Sequence, residues 1–318
     1  MREFIIGENE AGQRLDKYLK KILPNASTGF LYKMLRKKNI TCNKAKMTGK
    51  EQLKKGDKVQ VFFSEETITK FMQDPEVLKA EYEQLKALPM KGLRVVYEDA
   101  DILIADKPYN MLSQKAKDTD LSANEYLLGY LIRSGSLELE GFASFRPSVC
   151  NRLDRNTTGL LLMGKSLSGS QTLSQMLKER TIRKFYRALV VGEVKEPAHL
   201  SGYLKKDEKT NQVKILEKEA EDASYIETAY EPISVKNHVT ELEIHLITGR
   251  THQIRAHLAS IGHPIIGDMK YGDADINHVY YESDHVTHQL LHAYRLEFPD
   301  GRIFTTPTPD VFAQIMKG

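Results

Sequence analysis

With 318 residues, 41% of them hydrophobic and 28% charged, the chain has the composition of an ordinary globular protein and room for two domains, one with a sizeable core. No apolar run approaches the roughly 18 residues of a transmembrane helix, and the start, Met1-Arg2-Glu3-Phe4, lacks the apolar stretch of a secretory signal, so a cytoplasmic protein without membrane association is expected. The net charge of +3 hides an asymmetry: residues 1–70 carry 16 Lys or Arg against 8 Asp or Glu, a net of +8, and the remainder carries 30 against 35, a net of −5. A basic head on a mildly acidic body suggests a polyanion-binding module, although a solvated lysine-rich surface gives the same count. The two cysteines, Cys42 and Cys150, have no metal-like spacing and read as reduced thiols.

Leu15, Tyr18, Leu19 and Ile22 recur at helical spacing and predict a helix ended by Pro24 and Asn25. Ser27 or Thr28 caps a second helix, which turns Leu31, Met34 and Leu35 inward and Lys33, Arg36, Lys37 and Lys38 outward. Ile40–Cys42 and Val59–Phe63 read as short strands, the second entered through a turn at Lys54–Lys58. Val77, Leu78, Tyr82, Leu85 and Leu88 keep helical spacing and predict a helical connector. Leu93–Tyr97 and Ile102–Ala105 predict two strands, after which Lys107 reads as a plain surface lysine and Asn110 as a residue that tolerates positive φ. Leu121, Tyr126, Leu127, Tyr130 and Leu131 predict a helix over 121–133.

The centre of the chain is Asn151-Arg152-Leu153-Asp154-Arg155-Asn156-Thr157-Thr158-Gly159, a polar turn running into the apolar stretch Leu160–Met163. That stretch, bounded by Gly159 and Gly164, predicts a buried strand with a carboxylate just before it. A helix over 167–180, with Leu173, Met176 and Leu177 inward, leads to a strand of alternating character over Arg183–Gly192 that contains Tyr186. Val239–Leu246 alternates as a strand, Gly249 ends it, and a helix follows to about Ser260 with Ile254 and Leu258 inward and Arg255 beside them. His252, His257 and His263 make a weak metal set, because the first two stand five apart rather than four and no acidic partner follows. His288 and His292 fall in what reads as strand and are taken as ordinary polar residues. Gln289–Phe298 and Arg302–Thr306 predict a terminal hairpin across Pro299-Asp300-Gly301. Short strands and hairpins with interspersed helices point to an α+β body built on a mixed, mostly antiparallel sheet.

Three of these strings together resemble the large-ribosomal-subunit, RluA-like family of RNA pseudouridine synthases: Arg152-Leu153-Asp154 with Asn156-Thr157-Thr158-Gly159-Leu160, Arg183 to Gly192, and Gly249-Arg250-Thr251-His252-Gln253-Ile254-Arg255 running on to Gly267-Asp268. The resemblance implies Asp154 as the catalytic carboxylate, Tyr186 as the aromatic that stacks on an extruded uracil, and Arg255 as the ion-pair partner of Asp154. It also implies that Arg152 fills the gap left by the flipped base. No metal, nucleotide or redox cofactor is implied. Asn110, Asn151 and Thr158 stand where the family pattern usually has Gly, His and Ser.

Residues 12–64, with Arg14-Leu15-Asp16, the basic second helix and Gly56-Asp57, resemble the S4 RNA-binding domain, a small α/β module. That resemblance implies Lys33, Arg36 and Lys37 as RNA contacts. The organisation expected is therefore 1–70 S4-like, 71–92 connector and 93–318 catalytic, in a monomer acting on structured RNA, with 23S ribosomal RNA first and transfer RNA second. The competing readings are an inactive RNA-binding assembly factor of the same fold, and a glycoside hydrolase, which needs two paired carboxylates where the signature offers one.

Overall fold

The computed structural model describes every residue except 9, 208, 209, 211 and 318. The N-terminal segment folds as β1 (Arg2–Ile5), α1 (Leu15–Ile22), α2 (Thr28–Arg36), β2 (Ile40–Cys42), β3 (Ala45–Lys46) and β4 (Lys58–Val61), with an antiparallel sheet in the order β1-β4-β2-β3. Helix α1 buries Leu15, Tyr18 and Leu19, and α2 buries Leu31, Met34 and Leu35. Ser27 starts α2 by accepting the Phe30 N–H, the N-cap bond that leaves one fewer orphan donor. The next helix, α3 (Glu65–Phe71), adds Ile68, Phe71 and Met72 to this same small core.

Helix α4 (Pro75–Lys86), begun by an Asp74 cap and a proline in its first turn, belongs elsewhere. Its Leu85, with Leu78 and Tyr82, packs into the large core of the body. The predicted connector therefore divides between two cores. The small module also lies directly on the body: α1 packs on α6 (Leu139–Ser144), Lys21 sits 5.3 Å from the centre of the Phe145 ring, and Gln171 donates to the Gly12 carbonyl at 3.2 Å.

The body is built on β5 (Arg94–Glu98), β6 (Ile102–Lys107), β7 (Ser148–Val149), β8 (Thr158–Gly164), β9 (Arg183–Val191), β10 (Ala198–Asp207), β11 (Gln212–Leu216), β12 (Ala223–Lys236), β13 (Val239–Leu246), β14 (Leu291–Glu297) and β15 (Ile303–Thr305). The sheet runs β11-β10-β12-β13-β9-β14-β8-β6-β5, with β7 added to β8 and β15 to β14. Helices α5 (Ala123–Arg133), α7 (Leu167–Glu179), α8 (Gln253–Ser260), α9 (Ala274–Asp284) and α10 (Asp310–Lys317) complete it. The fold is α+β with a mostly antiparallel sheet, as the strand pattern predicts. Strand β8 has Leu160, Leu162 in one cluster and Leu161, Met163 in another, so both of its faces are covered and its run is apolar throughout. Strand β9 departs from the predicted alternation for the same reason: Lys184–Tyr186 and Ala188–Val190 are all buried. Leu121, expected on the buried face of α5, lies before that helix and is half exposed.

Among the described residues one strand pairing in the sheet breaks the antiparallel rule. Strands β8 and β14 run parallel, with His292 opposite Thr158 and Ala293 opposite Gly159. Gly159 has φ +110°, and a Cβ there would lie 2.2 Å from the Ala293 carbonyl oxygen. Only glycine allows both that backbone and that approach. This seam is where the polar turn carrying Asp154 enters the sheet.

Candidate active site

The Asp154 turn is fastened from several sides. Before it, the Ser113 hydroxyl donates to the Leu153 carbonyl at 2.9 Å and accepts the Leu153 N–H at 3.0 Å. Asn151 spends its side-chain amide on β8, accepting from Leu162 N at 2.8 Å and donating to the Leu160 carbonyl. After the carboxylate, Thr157 N donates back to the Asp154 carbonyl at 3.1 Å, and Thr158 shares a 2.7 Å hydrogen bond with His292 Nδ1 on β14. Two of the residues that depart from the family pattern, Asn151 and Thr158, thus tie the turn to the sheet. The third, Asn110, has φ 57°, the left-handed conformation asparagine tolerates.

Lys107 corrects the sequence reading. It is fully buried, not a surface lysine, and its ammonium donates to the carbonyls of Pro108 (3.0 Å), Met111 (2.9 Å) and Arg155 (3.0 Å). Three donors meet three acceptors, and the 108–111 turn is thereby bolted to the residue after Asp154. Burial pulls its pKa down to about 7, against the attraction of Asp154 and Asp106. The signal was present in its position: two residues past Ala105, it continues the strand face of the buried Leu103 and Ala105.

Across the hollow, α8 brings Arg255. Its Nη1 donates to Asp154 Oδ2 at 2.8 Å, while Nε and Nη2 donate to the two oxygens of Asp268 at 2.6 and 2.7 Å. Asp268 has no exposed side-chain surface and also accepts the N–H groups of Lys270 and Tyr271. Burial opposes the Arg255 charge, but the Asp268 hydrogen bonds and charge, with Asp154 added, outweigh it and hold the guanidinium pKa above its usual value. Burial likewise opposes ionised Asp268, and Arg255 with the two backbone donors outweighs it, so that carboxyl titrates below the usual range. A buried arginine clamped by one carboxylate presents its remaining edge to the other.

The turn between β13 and α8 is locked by buried Gln253, which donates to the Glu227 carbonyl and Thr228 Oγ1 and accepts from Thr248 Oγ1 and Arg250 N. His252 precedes it in a left-handed backbone conformation, with Nε2 3.8 Å from Asp154 Oδ2 and Nδ1 3.0 Å from the Tyr271 hydroxyl. Tyr186, on β9, is buried, and burial together with the Asp154 charge holds its phenol well above the usual pKa, so it is neutral at physiological pH. Arg152, Asp154, Tyr186, Arg250, His252 and Arg255 all line one hollow, with Leu246, Ile254 and Leu291 completing its wall.

The structure therefore brings together four of the residues chosen from sequence, Arg152, Asp154, Tyr186 and Arg255. Lys33 and Arg36 on α2 and Lys37 just past its end are exposed, and none of the three lines the hollow. The histidines have other employments. His257 is buried against Thr228 Oγ1, burial pulling its pKa to about 4, and no group of three metal-binding side chains exists among the described residues. His288, expected in a strand, precedes β14 and stacks on Tyr109 with ring centres 3.8 Å apart. Sequence reasoning assigned no role to Lys107, Ser113, His252, Asp268 or Tyr271.

A carboxylate gripped by a buried arginine thus shares one hollow with a buried tyrosine from a central strand of the sheet, an arrangement suited to acid–base or nucleophilic chemistry. Residues 101–260 match the model of the RNA pseudouridylate synthase family, half of the chain. The chain belongs to that family and is an RNA pseudouridine synthase. It is 30% identical to a ribosomal large subunit pseudouridine synthase C of Vibrio vulnificus, over 92% of this chain and 87% of that one. A protein of the same description from Rickettsia felis is 32% identical, with 83% of each chain covered. Among solved structures, human RNA pseudouridylate synthase domain containing 4 superposes with a TM-score of 0.57 at 21% identity, covering 74% of this chain and 95% of that one, which supports the fold. No helix among the described residues is long and apolar enough to cross a membrane.

Proposed function

We propose that this enzyme converts specific uridines of large-subunit ribosomal RNA to pseudouridine, with Asp154 as the reacting carboxylate. The observation that carries the reading is the 2.8 Å bond from Arg255 to Asp154 inside the hollow lined by Tyr186. The names of the relatives support the ribosomal substrate. A uridine in a folded RNA must leave its stack to reach this carboxylate, and the exposed Arg152 beside Asp154 is suited to occupy the place it vacates.

The reaction is an isomerisation. The bond from N1 to C1′ breaks, the uracil turns, C5 bonds to C1′, the C5 proton departs and N1 gains one. Asp154 starts it either by attacking C1′ or by taking the C2′ proton, and in both routes the Arg255 hydrogen bond holds the carboxylate in place. Tyr186 offers its ring to the uracil and, being a neutral phenol, a hydroxyl that exchanges protons with it. The N-terminal module, resembling S4 domains, adds Lys33, Arg36 and Lys37 as contacts to the RNA backbone, where charge and shape rather than sequence are read. We infer a monomer that works in the cytoplasm without a cofactor. An inactive binding factor is disfavoured, because Asn151 and Thr158 tie the Asp154 turn to the sheet and Asn110 adopts the left-handed backbone of its turn.

The test is carbodiimide mapping of pseudouridine in total RNA from cells with and without the gene, followed by addition of purified protein. A ribosomal site that disappears and returns with wild-type protein but not with Asp154→Asn supports the proposal. Turnover by Asp154→Asn would refute the mechanism, and a lost site in transfer RNA would refute the substrate.

A further inference from the structure

His252 combines three features that the reading above leaves unused. Its backbone is left-handed, with φ 55° and ψ 14°, in a residue that carries a Cβ. Such a conformation costs energy and persists where surrounding contacts hold it, and it gathers at functional sites. Its ring is buried, with only 8% of the side chain exposed, and Nε2 faces Asp154 Oδ2, the oxygen already bound to Arg255. Its other nitrogen, Nδ1, lies 3.0 Å from the Tyr271 hydroxyl, whose oxygen accepts the Val213 N–H at 2.8 Å and whose proton is within reach of Nδ1. The tautomer that accepts the Tyr271 proton at Nδ1 carries its own proton on Nε2, pointing at the carboxylate. Tyr271 itself is held against Arg255, whose guanidinium carbon lies 5.2 Å from the ring centre, and its N–H donates to Asp268.

Resting on the assignment of Asp154 as the reacting group, we propose that His252 is a positioning residue: its Nε2–H, oriented by Tyr271, engages Asp154 Oδ2 alongside Arg255 and leaves Oδ1 turned to the nucleotide. The 3.8 Å separation closes to a hydrogen bond as the RNA is bound, in the way active-site contacts tighten on complex formation. Burial, ahead of the opposing attraction of Asp154 and with the repulsion of Arg255 and Lys270, lowers the imidazole pKa and keeps it a neutral donor. The chain Val213–Tyr271–His252–Asp154 also links β11, at the edge of the sheet, to the carboxylate, so the β10–β11 hairpin contributes to the alignment of the site.

The experiment uses the full chain, a 23S ribosomal RNA transcript carrying tritium at C5 of uridine, and two readouts: single-turnover tritium release and RNA affinity by filter binding. His252→Asn is the central variant. Asparagine favours the left-handed conformation, so folding is preserved, but its amide is too short to reach Asp154. Tritium release should slow by roughly tenfold or more, the usual worth of a hydrogen bond to a charged group, with affinity unchanged within twofold. His252→Gln, whose amide reaches as far as Nε2, should recover most of the rate, and Tyr271→Phe should slow release without weakening binding. A wild-type rate for His252→Asn, equal slowness of the Asn and Gln variants, or a loss confined to affinity each overturns the inference. Asp154→Asn is run beside them. If it turns over, the reading of the site itself fails; if it is inactive while His252→Asn is fast, only the positioning role is lost.

Discussion

Asp268→Asn isolates what the buried arginine pair contributes. Asp268 Oδ1 accepts from Arg255 Nη2 and from the N–H groups of Lys270 and Tyr271, and Oδ2 accepts from Arg255 Nε. An asparagine can keep its oxygen at the first position, but its NH₂ then faces the Nε–H, donor against donor. One charge-assisted bond is lost and the guanidinium keeps a single counter-charge, Asp154. Breaking a fully buried pair costs about 3–5 kcal/mol, and the oxygen retained brings the expectation to about 3 kcal/mol. The Asp154 grip loosens with it, so single-turnover isomerisation should fall at least tenfold. The assay is urea denaturation followed by far-UV circular dichroism, with the rate measured on folded protein. Asp268 titrates below its unfolded value, so its contribution is complete above the ordinary carboxylate pKa of about 4 and is lost as pH falls through the lower folded value. The gap between wild type and variant should therefore be flat from pH 5 to 8 and shrink in stronger acid. An unchanged denaturation midpoint together with a rate within twofold of wild type would show that the pair neither stabilises the fold nor aligns the site.

Lys107→Met should loosen the Asp154 turn and slow isomerisation about tenfold with RNA affinity preserved. The folded pKa of Lys107 is about 7, below that of an unfolded lysine, so between pH 7 and roughly 10 the unfolded chain binds more protons and wild-type stability rises with pH. The methionine variant lacks that slope, and denaturation at a series of pH values reads the difference. Gly159→Ala drives a methyl into the Ala293 backbone, and a loss of about 3 kcal/mol or outright failure to fold is expected, read as soluble yield and denaturation midpoint. Reversing Lys33, Arg36 and Lys37 to Glu should weaken RNA binding and flatten its salt dependence while leaving the rate at saturating RNA intact, as binding measured from 50 to 200 mM salt would show.

Much of this site was legible from sequence because its chemistry is linear there. The Asp154 turn and the Leu160–Met163 strand are contiguous, and Tyr186 and Arg255 lie in strings of recognisable composition. The seat of β8 was readable from an unbroken apolar run, because both of its faces are covered. What escaped was set by tertiary context. Lys107 has a surface residue's chemistry, and only three carbonyls brought together by the fold explain its burial. Asp268 was visible after Gly267 but had no meaning until α8 turned Arg255 towards it. His252 was weighed only by metal spacing, and Tyr271, its partner, lies beyond the helix that separates them. Strands β10 to β12 went unread because apolar and polar residues fall on both faces, Ser224 and Thr228 in phase with Ile226 and Tyr230 and Tyr225 and Ile233 out of phase, which blurs the alternation that marks β13.

The parallel seam has a consequence in time. Thr158 and Gly159 meet His292 and Ala293 across 134 positions of sequence, and the set of bonds that anchors the Asp154 turn is complete only once that seam has closed. Contacts between such distant segments form late, after local helices and hairpins. A nascent chain that has exposed Asp154, Tyr186 and Arg255 still lacks β14, and with it the partner of Thr158. Competence should thus arrive in one step, only after β14 has been made and has paired. On refolding, helical signal should return well before the ability to isomerise a base.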